Sequence, residues 1–288
     1  MSRRPNIVLI LNDDMGFSDI GCYGGEIDTP TLDMLARRGL RSSQFYNTAR
    51  CVTIPEALRG NGYRTYMSGK WHVASNLVSP TSAWPMQRGF DEFFGTIIGA
   101  GSFYDPNTLT RGNQNAEHEA RDNPEFFYTD AISDQAVDYV DAHARDHGDK
   151  PFFMYVAYTA PHWPLHAHDE DIAKYKGRFD AGWDQLRIER LRKLVESGIL
   201  KPEWKLSDRD PTQPPWTEAE EKAWLLRCME VYAAQVDRMD QGIGRIVESL
   251  KRNSMFDDTL VIFLADNGAC AEDIPEGLSV DVLVNQLM

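Results

Sequence analysis

Residues 6–14 read NIVLILNDD, and residues 259–268 read TLVIFLADNG. Each stretch is a continuous apolar run rich in β-branched residues, which is typical of a strand buried on both faces of a parallel sheet. Each run also ends in acidic and amide side chains. Because ligands of open α/β sheets bind beyond the carboxyl ends of the strands, the two stretches predict both the fold and the edge that carries the site.

The intervening sequence alternates strand-like and helix-like patterns. Phe152–Tyr158 and Tyr63–Met67 read as strands, and residues 40–46 are interpreted as a further strand. Residues 74–125, rich in Gly, Asn and Ser, read as surface loops. Thr217 and Glu220 form a capping-box pattern that predicts the start of a long helix. We therefore expect an α/β fold with a large, mostly parallel sheet and helices on both faces.

Composition limits the possible partners. The chain has 288 residues, 44 acidic against 30 basic, and a formal net charge of −14. This balance argues against nucleic acid as a partner, since phosphate neutralisation needs a basic face. No apolar run reaches the length of a membrane span, so no membrane partner is expected. Oligomeric state has no signature in the sequence.

Cysteine usage and the amino terminus bear on localisation. Four cysteines are scattered without paired spacing (Cys22, Cys51, Cys228 and Cys270). The start, MSRRPNIVLILND, has too short an apolar stretch for the core of a signal peptide. A reduced, cytoplasmic location is the simplest expectation, with a periplasmic one if an export signal precedes this sequence.

The two acidic clusters predict a metal site. If the strands before Asp13-Asp14 and Asp266-Asn267 are neighbours, three carboxylates and one amide converge. This oxygen-only set suits Ca²⁺ or Mg²⁺ rather than zinc. The alternative is that each pair only caps a helix or forms an Asx turn.

Lys70, His72 and His162 are candidates for binding an anion. Residues two apart in an extended segment point to the same side, so Lys70 and His72 can face one site and supply a charge and a proton. An exposed lysine beside a buried histidine is the alternative. His162 follows a predicted strand and lies between Pro161 and Pro164, which suits an oriented catalytic side chain or an ordinary loop.

Cys51 is the candidate nucleophile with the least local support. Cysteine is mostly a small buried apolar residue unless its surroundings are electropositive, and the neighbouring Arg50 is only a weak sign of that.

Together these residues resemble the sulfatase family of the alkaline-phosphatase-like superfamily, and bacterial arylsulfatases in particular. The resemblance keeps family order over most of residues 4–271. It is carried by residues 4–51 and by GYRTYMSGKWH (62–72), TAPHWPLHA (159–167), YKGRFDAGWDQLRIERL (175–191) and DDTLVIFLADNGAC (257–270).

The resemblance implies roles for these side chains. Four residues would ligate one Ca²⁺, with Mg²⁺ less favoured: Asp13, Asp14, Asp266 and Asn267. Lys70, His72 and His162 match residues that hold the sulfate group of a small-molecule ester and assist departure of the leaving group. Cys51 matches the nucleophile, which the family oxidises to formylglycine, whose hydrate attacks sulfur.

The sequence departs from the family at Cys51. The family's maturation signal is Cys, any residue, Pro, any residue, Arg, whereas this chain reads Cys51-Val52-Thr53-Ile54-Pro55. Residues 52–66 resemble a segment that normally comes after the nucleophile helix. The expected organisation is a catalytic α/β domain over residues 1–271, lacking that helix, then an unmatched tail over residues 272–288, with the family's C-terminal subdomain missing.

Three functional hypotheses follow. The first is an arylsulfatase-type hydrolase of sulfate esters. The second is a catalytically impaired sulfatase-like fragment that binds metal or anion without turnover, which the altered signal favours. The third is a phosphatase or phosphodiesterase of the same superfamily, which the arylsulfatase-like segment at residues 175–191 makes less favoured.

Overall fold

A computed structural model of the protein describes residues 4–43 and 53–270. Its strands form one seven-stranded sheet in the order β5-β4-β3-β2-β6-β1-β7. The strands are β1 (Asn6–Asp13), β2 (Arg64–Gly69), β3 (Glu92–Thr96), β4 (Leu109–Arg111), β5 (Gln114–Asn115), β6 (Phe152–Pro161) and β7 (Thr259–Ala265). Strands β3, β2, β6, β1 and β7 run parallel, while β4 and β5 pair antiparallel at one edge. The expected α/β architecture is confirmed.

Seven α-helices lie in the described residues, and four short 3₁₀ turns accompany them. They are α1 (Pro30–Arg38), α2 (Ile54–Arg59), α3 (Glu117–Arg121), α4 (Tyr128–Asp146), α5 (Asp169–Ala173), α6 (Gly182–Glu196) and α7 (Lys222–Arg252). Within the described ranges, none combines the length and hydropathy that a membrane span needs.

The chain divides into two compact units. The first comprises Met1–Met15, Arg50–Pro164 and Gly244–Met288, and it contains the sheet. The second comprises Gly16–Ala49 and Leu165–Ile243.

Helices cover both faces of the sheet in the first unit. On one face, helix α4 packs against β6 and β2, and its buried Ser133 and Ile132 bond to Tyr158 and Ser68. On the other face an apolar cluster packs beside α2, and Met67, Phe93 and Phe153 lie within it. Because side chains alternate along a strand, adjacent residues of β2 and β6 point to opposite faces of the sheet and pack against different layers.

The second unit is organised around buried carboxylates. Asp240 of α7 accepts hydrogen bonds from the backbone N–H groups of Thr31 (3.0 Å) and Leu32 (2.8 Å) in the first turn of α1. The hydroxyl of Thr29, the N-cap residue, instead accepts from the Gly21 N–H at 2.9 Å. Helix α1 is therefore capped by a residue more than two hundred positions away in sequence.

Several local expectations need correction. Residues 40–43 are irregular rather than the start of a strand, and the rest of that predicted strand lies outside the described residues. Residues 74–125 contain β3, β4 and β5, whose short lengths hid them among turn residues. Thr217 lies in a 3₁₀ turn, and the long helix begins only at Lys222. Strand β7 is not buried on both faces, because it lies at the sheet edge with Leu260 52% exposed.

Candidate functional site

The carboxyl end of β1 places Asp13 and Asp14 at the sheet edge where the site is expected. The β1–β6 register shifts between Asn12 and Asp13, so that Asp13 lies opposite Pro161. Asp14 has φ of 64°, a left-handed conformation that is uncommon outside glycine and that asparagine and aspartate tolerate best. Both side chains are about nine-tenths buried. The bulge therefore turns two adjacent carboxylates into one site.

Strand β7 brings Asp266 and Asn267 to the same place. It pairs in parallel with β1, with Asn12 opposite Ala265. The Asp14 N–H donates to Asp266 Oδ1 at 3.1 Å, and Asn267 Nδ2 donates to Asp14 Oδ1 at 2.8 Å. The condition stated from the sequence, that the two strands be neighbours, is met. The four predicted metal ligands are therefore close together. Asp266 and Asn267 lie on the exposed side of this cluster.

The concentration of carboxylates perturbs Asp13. Burial and a hydrogen bond to the Asp266 carboxyl group raise the pKa of Asp13 to about 7, although the nearby Lys70 ammonium opposes that shift. Desolvated carboxylates that lie together resist full ionisation unless a cation compensates them. This electrostatic cost is what a bound metal ion would remove.

Lys70 is positioned by close packing of the end of β2 against the backbone of β6. Gly69, with φ of 120°, ends β2 where a Cβ atom would overlap the carbonyl group of Ala157 in β6. The next N–H, that of Lys70, donates to the same carbonyl oxygen at 2.9 Å. The Lys70 ammonium group forms an ion pair with Asp13 Oδ2. Lys70 therefore reaches Asp13 from β2, which is separated from β1 by β6.

His72 lies beyond Lys70, on the segment that follows β2 and pairs with the end of β3. The Trp71 and His72 N–H groups donate to the carbonyl oxygens of Thr96 and Ile97 at 2.9 and 3.2 Å. The Trp71 indole is buried and donates to the Ala83 carbonyl oxygen, whereas His72 is exposed. Partial desolvation lowers the pKa of His72, and the positive charges of Lys70 and His162 lower it further. The three basic groups therefore lie near one another.

His162 faces the carboxylates from the end of β6. Its Nδ1 lies 2.6 Å from the Trp163 carbonyl oxygen, and its Nε2 lies 3.5 Å from Asp14 Oδ2. A carbonyl oxygen only accepts, so the proton of the neutral ring is assigned to Nδ1 and Nε2 carries the lone pair. Burial lowers the pKa of His162, although the Trp163 carbonyl and Asp14 oppose that shift.

The described residues contain one group of three with the spacing of metal ligands. Asp13, Asp14 and His162 each offer an atom, and these atoms lie within 4.8 Å of one another. The sequence had assigned His162 to the substrate alone, whereas the structure places its Nε2 beside two of the predicted metal ligands. Oxygen ligands still dominate once Asp266 and Asn267 are included, which suits a hard cation.

The structure thus brings together seven of the eight predicted site residues. The eighth, Cys51, lies outside the described residues. Sequence reasoning missed two contributors, the Trp163 carbonyl, which orients His162, and Gly99, on which the His72 ring lies. Neither has a local signal, because a carbonyl group belongs to every residue and loop glycines are common.

Comparisons with known proteins give the family of the chain. The sequence model of the family described as Sulfatase matches residues 5–52 and 50–279. The chain belongs to the sulfatase family. An uncharacterised sulfatase of Schizosaccharomyces pombe is 30% identical over 93% of this chain and 58% of its own length. The arylsulfatase of Klebsiella aerogenes is 31% identical over 93% of this chain and 67% of its own length.

A solved structure is also similar. The crystal structure of Ps i-CgsB in complex with k-i-k-neocarrahexaose has a TM-score of 0.61 and 26% identity, covering 95% of this chain and 61% of that one. The chain therefore spans between 58% and 67% of the length of these relatives. The alignment with the Klebsiella arylsulfatase runs over 318 positions, more than the 288 residues here, so that sulfatase has residues within the aligned region that this chain lacks.

Proposed function

We propose that this sulfatase site binds a divalent cation and the sulfate group of a small-molecule ester, as a sulfuric ester hydrolase of the arylsulfatase type. The observation that carries the proposal is that acidic and basic side chains lie together at one edge of the sheet. Carboxylates follow β1 and β7, and basic groups follow β2 and β6. A metal ion and an anion each need one of these sets.

Calcium is the cation that the donor set favours. Asp13, Asp14 and Asp266 offer carboxylate oxygens, and Asn267 can present its carbonyl oxygen after a rotation of its amide. The raised pKa of Asp13 indicates that the Lys70 ion pair does not fully offset the burial of these carboxylates. Bound there, the ion would offset negative charge on the sulfate oxygens.

The basic residues would act on the ester itself. Lys70 and His72 can donate hydrogen bonds to sulfate oxygens, since each ends in an N–H group and the two lie near each other and His162. The Trp163 carbonyl holds the His162 proton on Nδ1, which leaves Nε2 as the atom that takes up a proton or returns one to the leaving group. This arrangement fits a reaction in which an alcohol or phenol departs from sulfur.

Turnover would depend on Cys51. Formylglycine at this position would supply the attacking oxygen, and an unmodified thiol would not. The residues at the Pro and Arg positions of the maturation signal have structural roles in α2 here. Thr53 caps α2 in a capping box with Glu56, and Pro55 is buried in its first turn. These observations support a second candidate, a sulfatase fragment that binds metal and anion without turnover.

Calorimetry and turnover test the proposal together. We expect Ca²⁺ to bind the purified protein more tightly than Mg²⁺, and Asp14→Ala to abolish that binding. Asp146→Ala is the matched control, because Asp146 is an exposed carboxylate that pairs only with a neighbouring arginine in the described contacts. Sulfate and phosphate esters of one phenol then separate a sulfatase from a phosphatase. Equal Ca²⁺ affinity of the Asp14→Ala protein would contradict the metal site.

A further inference from the structure

The imidazole ring of His72 lies directly on Gly99. A Cβ atom added to Gly99 would overlap ring atoms Cε1, Nε2 and Nδ1 of His72. Non-bonded carbon and nitrogen atoms normally stay about 3.5 Å apart, so the overlap is complete rather than marginal. Gly99 is itself buried, whereas His72 is exposed. One face of the ring is therefore supported by the glycine.

Space, rather than backbone conformation, requires glycine here. Gly99 is not among the glycines with positive φ, so its backbone suits any residue. Gly101 in the same loop also lacks positive φ, and a Cβ atom there would meet nothing closer than the Asn107 nitrogen at 4.0 Å. The two glycines lie in one loop and differ in what an added Cβ atom would meet, so they form a matched pair.

The loop beneath His72 is held firmly. The Thr108 hydroxyl accepts hydrogen bonds from the N–H groups of Ile97 (3.1 Å) and Ile98 (3.0 Å). The Thr108 N–H donates in turn to Glu117 Oε1 at 2.7 Å. Ile97 is fully buried and Ile98 nearly so. The loop cannot withdraw to admit a larger residue, so the exposed ring would have to move instead.

The backbone of His72 is also constrained. Its φ of 52° is in the left-handed region, which costs a residue with a Cβ atom about 1 kcal/mol. The His72 N–H donates to the Ile97 carbonyl oxygen at 3.2 Å, which joins it to the same loop. The loop therefore sets both the backbone and the ring plane of His72.

We propose that Gly99 is a positioning residue, which holds the His72 imidazole where it can donate to a bound sulfate group. The proposal rests on the function proposed above, because it takes His72 to contact the anion. Glycine at position 99 would then be required for binding sulfate and not for folding.

Titration with inorganic sulfate in the presence of Ca²⁺, followed by calorimetry, tests this directly. We expect Gly99→Ala to weaken sulfate binding about 10- to 100-fold, the effect of losing one hydrogen bond to a charged group, and to match His72→Ala. Gly101→Ala should bind sulfate as the wild type does. Thermal unfolding of all three variants should stay close to that of the wild type.

A double-mutant cycle separates positioning from a general disturbance of the loop. In a His72→Ala background the added methyl group has nothing to displace, so Gly99→Ala should cause no further loss. An equal loss in both backgrounds, or unchanged sulfate binding in Gly99→Ala alone, would overturn the inference while leaving the proposed function intact. Unchanged binding in His72→Ala would overturn both. The imidazole NMR signals of His72 should shift in Gly99→Ala and not in Gly101→Ala.

Discussion

The ammonium group of Lys70 forms an ion pair with the carboxylate of Asp13, one of the proposed metal ligands. Their side chains are only 11% and 9% exposed, so little water screens the charges. A cation that binds Asp13 must therefore approach or replace the lysine. The metal and Lys70 should compete for the same carboxylate.

Replacing Lys70 should consequently strengthen metal binding. We expect Lys70→Met to raise Ca²⁺ affinity about tenfold, because removal of a poorly screened like charge is worth roughly 1.4 kcal/mol or more. Calorimetric titration with Ca²⁺ measures this. Lys150→Met removes the same charge from an exposed position and should change the affinity little. Weaker Ca²⁺ binding by Lys70→Met would mean that the lysine supports the metal ligands instead.

The altered signal after Cys51 predicts slow turnover. As it stands, we expect the polypeptide to hydrolyse 4-nitrophenyl sulfate very poorly or not at all, since loss of a nucleophile costs about 10⁴-fold or more in rate. Mass spectrometry of the peptide containing Cys51 should show an unmodified thiol, and Cys51→Ala should be no slower. Formylglycine together with rapid turnover would contradict this expectation.

Acid should destabilise the protein through His143. This buried ring on α4 lies 2.9 Å from the Tyr66 hydroxyl at Nδ1 and 3.0 Å from the Lys150 carbonyl oxygen at Nε2. Burial lowers its pKa below the usual 6.5. The unfolded chain then binds the proton more readily, so stability is lost as pH falls below about 6.5, by at most about 1.4 kcal/mol per pH unit.

Thermal unfolding at pH 7.5 and 5.5 checks the sign of this effect. From pH 7.5 to pH 5.5 the melting temperature of the wild type should fall further than that of His143→Gln, because glutamine takes up no proton in this range. Equal losses in the two proteins would show that other groups cause the acid sensitivity.

The cap on α1 should be worth a large part of the stability of the second unit. Asp240→Ala leaves the Thr31 and Leu32 N–H groups without their carboxylate, which should cost about 1–3 kcal/mol. Asp28→Ala removes a carboxylate from an exposed ion pair with Arg178 and should cost about 0–1 kcal/mol. Urea unfolding measures both, and amide exchange at residues 31 and 32 should accelerate only in the first variant.

The sequence predicted the parts of the site that have a local pattern. Asp13 and Asp266 end apolar runs, and parallel strands place their carboxyl ends at one edge of the sheet, so their meeting could be expected. His162 was found because it follows the run at 152–158. The short strands β3 to β5 were missed, because runs of only two to five residues give no clear periodicity.

Contacts between distant residues could not be predicted in the same way. Nothing near Thr31 indicates that Asp240 caps its helix, and the residue that looked like a cap, Thr29, bonds elsewhere. Lys70 was expected to face the substrate alone, and its pairing with Asp13 depends on how β2 and β1 flank β6. Such contacts follow from the packing of the whole sheet rather than from any segment.

Strand β7 has a single hydrogen-bonded neighbour among the described strands, and it carries Asp266 and Asn267 at its end. An ion held by these residues and by Asp13 would tie chain positions some 250 residues apart, as a cross-link does. Closing so long a loop restricts the unfolded chain strongly. Removal of the ion with a chelator should therefore be felt first as fraying of this edge strand, with faster protease cleavage and amide exchange in residues 259–265 than in β6.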